Sequence, residues 1–131
     1  MKKFLYNWLP VAVYFALICG ASSLPVQVPA GTDKILHVVL YAPLGFLVTR
    51  AILLTKDFSK QWGIVLGSLL VVLLGAGDEF HQSFVPNRQA TLGDVMADGV
   101  GGWLGALAFV YLGMLLFRSR KLYPDHRDGC C

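Results

Sequence analysis

Four long apolar runs separated by short polar links constrain the fold of this chain more than any motif in it. They fall at 4–22, 35–54, 62–82 and 94–117. Each can cross about 30 Å of hydrocarbon at about 1.5 Å per helical residue. The third is apolar only as far as Gly77 and gains its last turn from Asp78 to Gln82. With 56% hydrophobic and 15% charged positions in 131 residues, the chain is too apolar for a small soluble domain. The reading is all-α: a polytopic membrane protein, a four-helix transmembrane bundle forming one domain over 1–131, with a basic tail at 118–131. The net charge of +3 does not point to nucleic acid, because the basic residues flank apolar runs instead of forming a stripe with aromatics. The expected partner is the lipid bilayer.

Lysines and arginines near span ends set the orientation. Lys2, Lys3, Arg50, Lys56, Lys60, Arg118, Arg120, Lys121 and Arg127 fall on one side, against Lys34 and Arg88 on the other. The nine mark the cytoplasm, so both termini are expected inside, in a plasma or inner membrane. Arg50 lies within the second run, near enough to its inner end to snorkel to the headgroups. The start of the chain, Met1-Lys2-Lys3 before an apolar stretch that ends Ala21-Ser22-Ser23, has the outline of a signal peptide. Its length and its Tyr6, Trp8 and Tyr14 favour a retained helix, loosened in its first turns by Pro10. Ile18 before Cys19 argues against a lipoprotein, and Cys130 and Cys131 end the tail on the reducing side, where a structural disulfide is not expected.

The acidic residues choose a side that hydrophobic periodicity does not require. Asp57, Asp125 and Asp128 are cytoplasmic on this topology, whereas Asp33, Asp78, Glu79, Asp94 and Asp98 all sit at the outer end. Asp33, His37 and Tyr41 are spaced i, i+4, i+8 and form one stripe down the second helix. Asp94 and Asp98 make the same pair on the fourth, which puts Asp98 one turn into the membrane. A carboxylate there costs several kcal/mol unless protonated, paired or wetted. The expectation is a polar vestibule between the second, third and fourth helices. On the third, Asp78 shares a face with Gln82 and His81, and Glu79 with Gln82. Glu79 and His81, two apart, diverge, and no HExxH spacing is present, so no metal site is assigned from motifs.

Gly63 with Gly67, and Gly101 with Gly105 beside Gly99, Gly102 and Ala106, give small faces for close helix packing. The two halves also have the outline of a distant parallel repeat. Gly20 to Ser23 leads through Val28-Pro29 to Asp33 and His37, much as Gly75 to Glu79 leads through Val85-Pro86 to Asp94 and Asp98.

Two blocks carry a family resemblance. Asp33-Lys34, His37 and Tyr41 fit D-K-x-x-H-x-x-x-Y. Asp78-Glu79, Gln82, Phe84-Val85-Pro86, Arg88, Asp94, Asp98 and Gly101 fit D-E-x-x-Q, F-x-P-x-R and D-x-x-x-N/D-x-x-G. In these the chain resembles the VanZ-like membrane proteins, a family named for a teicoplanin-resistance protein. Asn87 stands where Gly is usual and Asp98 where Asn is frequent. The resemblance implies a cell-envelope role and altered glycopeptide sensitivity, without a defined reaction or cofactor.

Three functional classes remain open on these residues. In the first, the cluster binds a lipid headgroup or cell-wall precursor, with Lys34 and Arg88 on phosphate and His37, Tyr41 and Gln82 as neutral partners beside Asp33, Asp78 and Asp98. In the second, it is a membrane enzyme on a lipid-linked substrate, with Glu79 or Asp94 as base, His37 as acid or base and Arg88 stabilising charge. A divalent cation on Asp33, Glu79, Asp94 and Asp98 would relieve their crowding. The third is a proton or ion pathway, which the inner half, lacking comparable charge, supports least. Against all three, Asp33 and Asp94 suit helix caps and Arg88 a loop tie. Oligomeric state is not encoded in any of these signals.

Overall fold

The computed structural model describes residues 2–24, 32–86 and 91–121, the side chains of 114 and 116–121 excepted. Its helices are α1 (Lys2–Ser22), α2 (Thr32–Thr55), α3 (Lys60–Gln82) and α4 (Leu92–Lys121), with no strand among the described residues. All four are long and apolar enough to cross a membrane, α4 over Leu92–Gly113.

The helices begin two or three residues before the apolar runs, and α4 continues to Lys121, into what composition assigns to the tail. The apolar run marks where lipid sits, while backbone hydrogen bonding continues into the polar end turns. Ser59 caps α3, its hydroxyl accepting from the Trp62 amide at 3.4 Å. α1 runs unbroken through Pro10, and α2 through Pro43. The tail residues Cys130 and Cys131 lie outside the described residues, as do Val28 and Pro29 of the outlined repeat.

α2 is the hub. Its Tyr41, Leu44, Val48 and Ala51 form the buried core with Val71 of α3 and Val11 and Ile18 of α1. Its most extensive packing is against α4, where glycines set the distance. A methyl group on Gly101 would lie 2.6 Å from the Val38 carbonyl oxygen, and Gly105 and Gly102 abut the backbones of Ala42 and Gly45. On the other side, Gly63 and Gly67 of α3 meet Leu53 and Thr49 of α2. Both glycine faces read from the sequence are therefore helix contacts. α1 is tied to α2 by Tyr14, whose hydroxyl donates to the Leu40 carbonyl at 3.1 Å, and by Asn7 to Thr55 at 3.5 Å. Arg50 rests over the Tyr6 ring at 5.7 Å, a cation–π contact that gives its charge a partner. Leu5, Leu17, Ile35, Leu73, Phe80 and Val100 are exposed on the outside, the surface that lipid covers.

Candidate functional site

At the end of the bundle where α1 and α3 finish and α2 and α4 begin, side chains from all four helices meet. They form two adjoining networks. Asp78 and Glu79, neighbours in sequence, point about 100° apart on α3 and serve one network each.

The first network centres on Asp78, which is 2% exposed. Its Oδ1 accepts from the Ser22 hydroxyl at 2.8 Å. Its Oδ2 accepts from Gln82 Nε2 at 2.8 Å and from the Tyr41 hydroxyl at 3.2 Å. Both oxygens are thus used, and the contacts join α1, α2 and α3. The i, i+4 face expected for Asp78 and Gln82 is the one that bonds them.

The second network centres on His37. Its Nδ1 lies 2.8 Å from Oδ1 of Asp98, which is fully buried. Its ring stacks on Tyr41, at 6.2 Å and 14°, one turn along the stripe. Its Nε2 has Glu79 Oε1 at 3.8 Å and Asp33 Oδ1 at 3.9 Å. Asp98 points inward as its depth demands, and Gly75 of α3 makes the room: a methyl there would lie 2.5 Å from Asp98 Oδ2. Thr91 holds the other carboxylates. Its amide donates to Glu79 Oε2 at 3.2 Å and its hydroxyl to Asp94 Oδ2 at 2.6 Å. Lys34 Nζ is 4.0 Å from Asp94 Oδ1, with the lysine side chain 62% exposed.

The structure therefore brings together Asp33, Lys34, His37, Tyr41, Asp78, Glu79, Gln82, Asp94 and Asp98, from both halves of the chain. Arg88 lies outside the described residues, and His81 is exposed. Ser22, Gly75 and Thr91 carry contacts that motif reading passed over. Only Thr91 left a signal, since Thr91-Leu92-Gly93-Asp94 has the T-x-x-D outline of a helix start. Accordingly, Asp94 stands in the first turn of α4 and Asp33 in that of α2, inside the helices and not at the capping position.

A cavity of about 80 Å³ opens beside the cluster, between α1, α2 and α3. The sequence points to a vestibule between α2, α3 and α4; among the described residues His37, Glu79 and Asp98 of those helices do meet, while this cavity lies on the α1 side of α2 and α3. Ser22, Asp33, His37, Tyr41, Asp78 and Gln82 line one part of it, and Ile18, Ala21, Leu36 and Leu40 the rest. Below Tyr41 the interior is filled by Leu44, Val48, Ala51 and Val71, with Thr49 the one polar side chain among the fully buried described residues there.

Chemically, an imidazole backed by a buried carboxylate can exchange a proton or coordinate an ion, and the surrounding carboxylates attract cations and hydroxyls. Donor atoms of His37 with Asp33 and Asp94, and of His37 with Glu79 and Asp98, lie within 4.8 Å of one another in each trio, close enough to hold a metal ion.

Four apolar helices with an acidic, histidine-centred cluster at one end define a polytopic helical membrane protein with a buried polar site. The VanZ/LLP1 family model matches residues 1–118, and the chain belongs to that family. No curated protein and no solved structure matches it.

Proposed function

We propose that the clustered end faces away from the cytoplasm and binds the headgroup of an envelope lipid or a lipid-linked cell-wall precursor, and that this binding alters glycopeptide susceptibility. The amphipathic cavity carries the reading. Its lining passes from Leu36, Leu40 and Ile18 to Asp33, His37 and Gln82 within one small space, which suits the junction between an acyl chain and a polar group. Carboxylates would take ammonium or sugar hydroxyl groups, and Lys34 and Arg88 are the residues proposed for phosphate. The filled apolar interior gives no support to an ion pathway.

Mass spectrometry of lipids retained by protein extracted with its native membrane tests this. Wild type should retain one headgroup class enriched over the bulk membrane. Leu36→Trp, which plugs the cavity from the lipid side, should lose most of that enrichment. Val65→Trp, on an exposed face of α3, should not. Retained lipid of bulk composition in all three proteins defeats the proposal.

The 2.8 Å contact between His37 and Asp98 favours one second reading, an enzyme in which His37 exchanges protons and Glu79 or Asp94 acts as base. Glu79→Gln separates the two. An enzyme loses turnover of the retained lipid, whereas a binder keeps the lipid and its effect on susceptibility.

A further inference from the structure

We propose that His37 Nε2, Asp33 and Asp94 hold a divalent transition-metal ion, with Glu79 Oε1 beside it as a fourth donor. The ion needs no lipid, so this goes beyond the headgroup reading and does not depend on it.

The imidazole is set up for coordination. With Asp98 ionised, its Oδ1, 2.8 Å from Nδ1, accepts the proton there, and the neutral imidazole then has its Nε2 lone pair on the side of Asp33 and Glu79. A carboxylate behind a histidine is the usual support of a metal-ligating imidazole, fixing its tautomer and orientation. Around Nε2, the oxygens of Glu79 and Asp33 stand at 3.8 and 3.9 Å. Those separations are too long for hydrogen bonds. Two ligands on a tetrahedral ion with bonds of about 2.1 Å lie roughly 3.4 Å apart, so Asp33 and Glu79 need to close by about half an ångström, and Asp94, within 4.8 Å, by more.

A separate observation points to a missing positive partner. Asp94 Oδ1 and Glu79 Oε1 accept no hydrogen bond, although their residues are 2% and 5% exposed. Unpaired buried carboxylate oxygens are costly, and Lys34 at 4.0 Å, largely in solvent, is too far to satisfy Asp94. The trio of His37 with Glu79 and Asp98 is the weaker host, because its Nδ1–Asp98 contact is already a hydrogen bond. Imidazole with carboxylates suits Zn2+ or Mn2+ better than Mg2+ or Ca2+. Asp33, with 36% of its side chain exposed, leaves a route of entry.

The test is calorimetric titration of Zn2+ into chelator-stripped protein in detergent, with folding checked by circular dichroism. Wild type should bind one ion per chain. Asp33→Asn, Asp94→Asn and His37→Gln should each weaken binding at least tenfold. Asp98→Asn should weaken it about 10–100-fold through loss of the imidazole's support. Lys34→Ala should bind as tightly as wild type or more tightly. Should a buried-site variant misfold, Asp33→Asn, at the rim, still decides the matter. No Zn2+ uptake by folded wild type, or unchanged affinity in Asp33→Asn, overturns the assignment. Either result would leave the retained-lipid measurement standing.

Discussion

Asp78 accepts from Ser22 and Tyr41 on two other helices and from Gln82 on its own, so one side chain fastens α1 and α2 to α3. Removing it takes away the acceptor that joins three helices, although Ser22 keeps the Cys19 carbonyl at 3.0 Å. Asp78→Ala is expected to destabilise the bundle by about 3 kcal/mol, whereas Tyr41→Phe, which leaves Asp78 Oδ2 still bonded to Gln82, should cost about 1 kcal/mol. Midpoints of unfolding in mixed detergent, followed by circular dichroism, would show the ranking; equal effects would mean that Asp78 is not the fastening point. Sequence periodicity placed Asp33, His37, Asp78, Glu79, Gln82, Asp94 and Asp98 in one cluster because charge inside a membrane has few tolerable positions. Ser22 was not legible in the same way. A serine at the end of an apolar run is ordinary, and its bond to Asp78 spans 56 positions, a distance local spacing cannot bridge.

Between elements, the α2–α4 seam decides the geometry of the site, since His37 and Asp98 face each other across it. Each stands four residues after the aspartate in the first turn of its helix, Asp33 or Asp94, and the two bond to each other at 2.8 Å. That pairing is available only if the helix backbones approach closely. Glycine spacing announced the approach, but not that a cavity would open on the α1 side. Gly101→Ala would set a methyl 2.6 Å from the Val38 carbonyl oxygen, and backbone cannot step aside as a flexible side chain can. The expected cost is about 1–3 kcal/mol. Gly77, on the open side of α3, has nothing within 4 Å of such a methyl. Gly77→Ala should therefore be neutral or stabilising by up to about 1 kcal/mol from helix propensity. The same unfolding assay compares them, and equal cost at both positions would remove the steric role assigned to the seam.

For the whole molecule, four spans return the chain to the side where it started, and the proposed orientation takes that side as the cytoplasm from the sided distribution of Lys and Arg. The cluster's location follows from the choice. Five carboxylates gathered at one end are reachable by a precursor exposed on the cell surface only if that end lies outside, and the same cluster turned inward would meet the cytosolic leaflet instead. Phe84, 73% exposed just beyond α3, reports on the clustered end, and Phe58, 45% exposed between α2 and α3, on the opposite one. In a background with Cys19, Cys130 and Cys131 changed to Ser, a membrane-impermeant maleimide applied to intact cells should label Phe84→Cys and spare Phe58→Cys. Permeabilisation should then expose both. Labelling in the reverse order would turn the bundle over, and the headgroup would have to be sought among lipids of the inner leaflet.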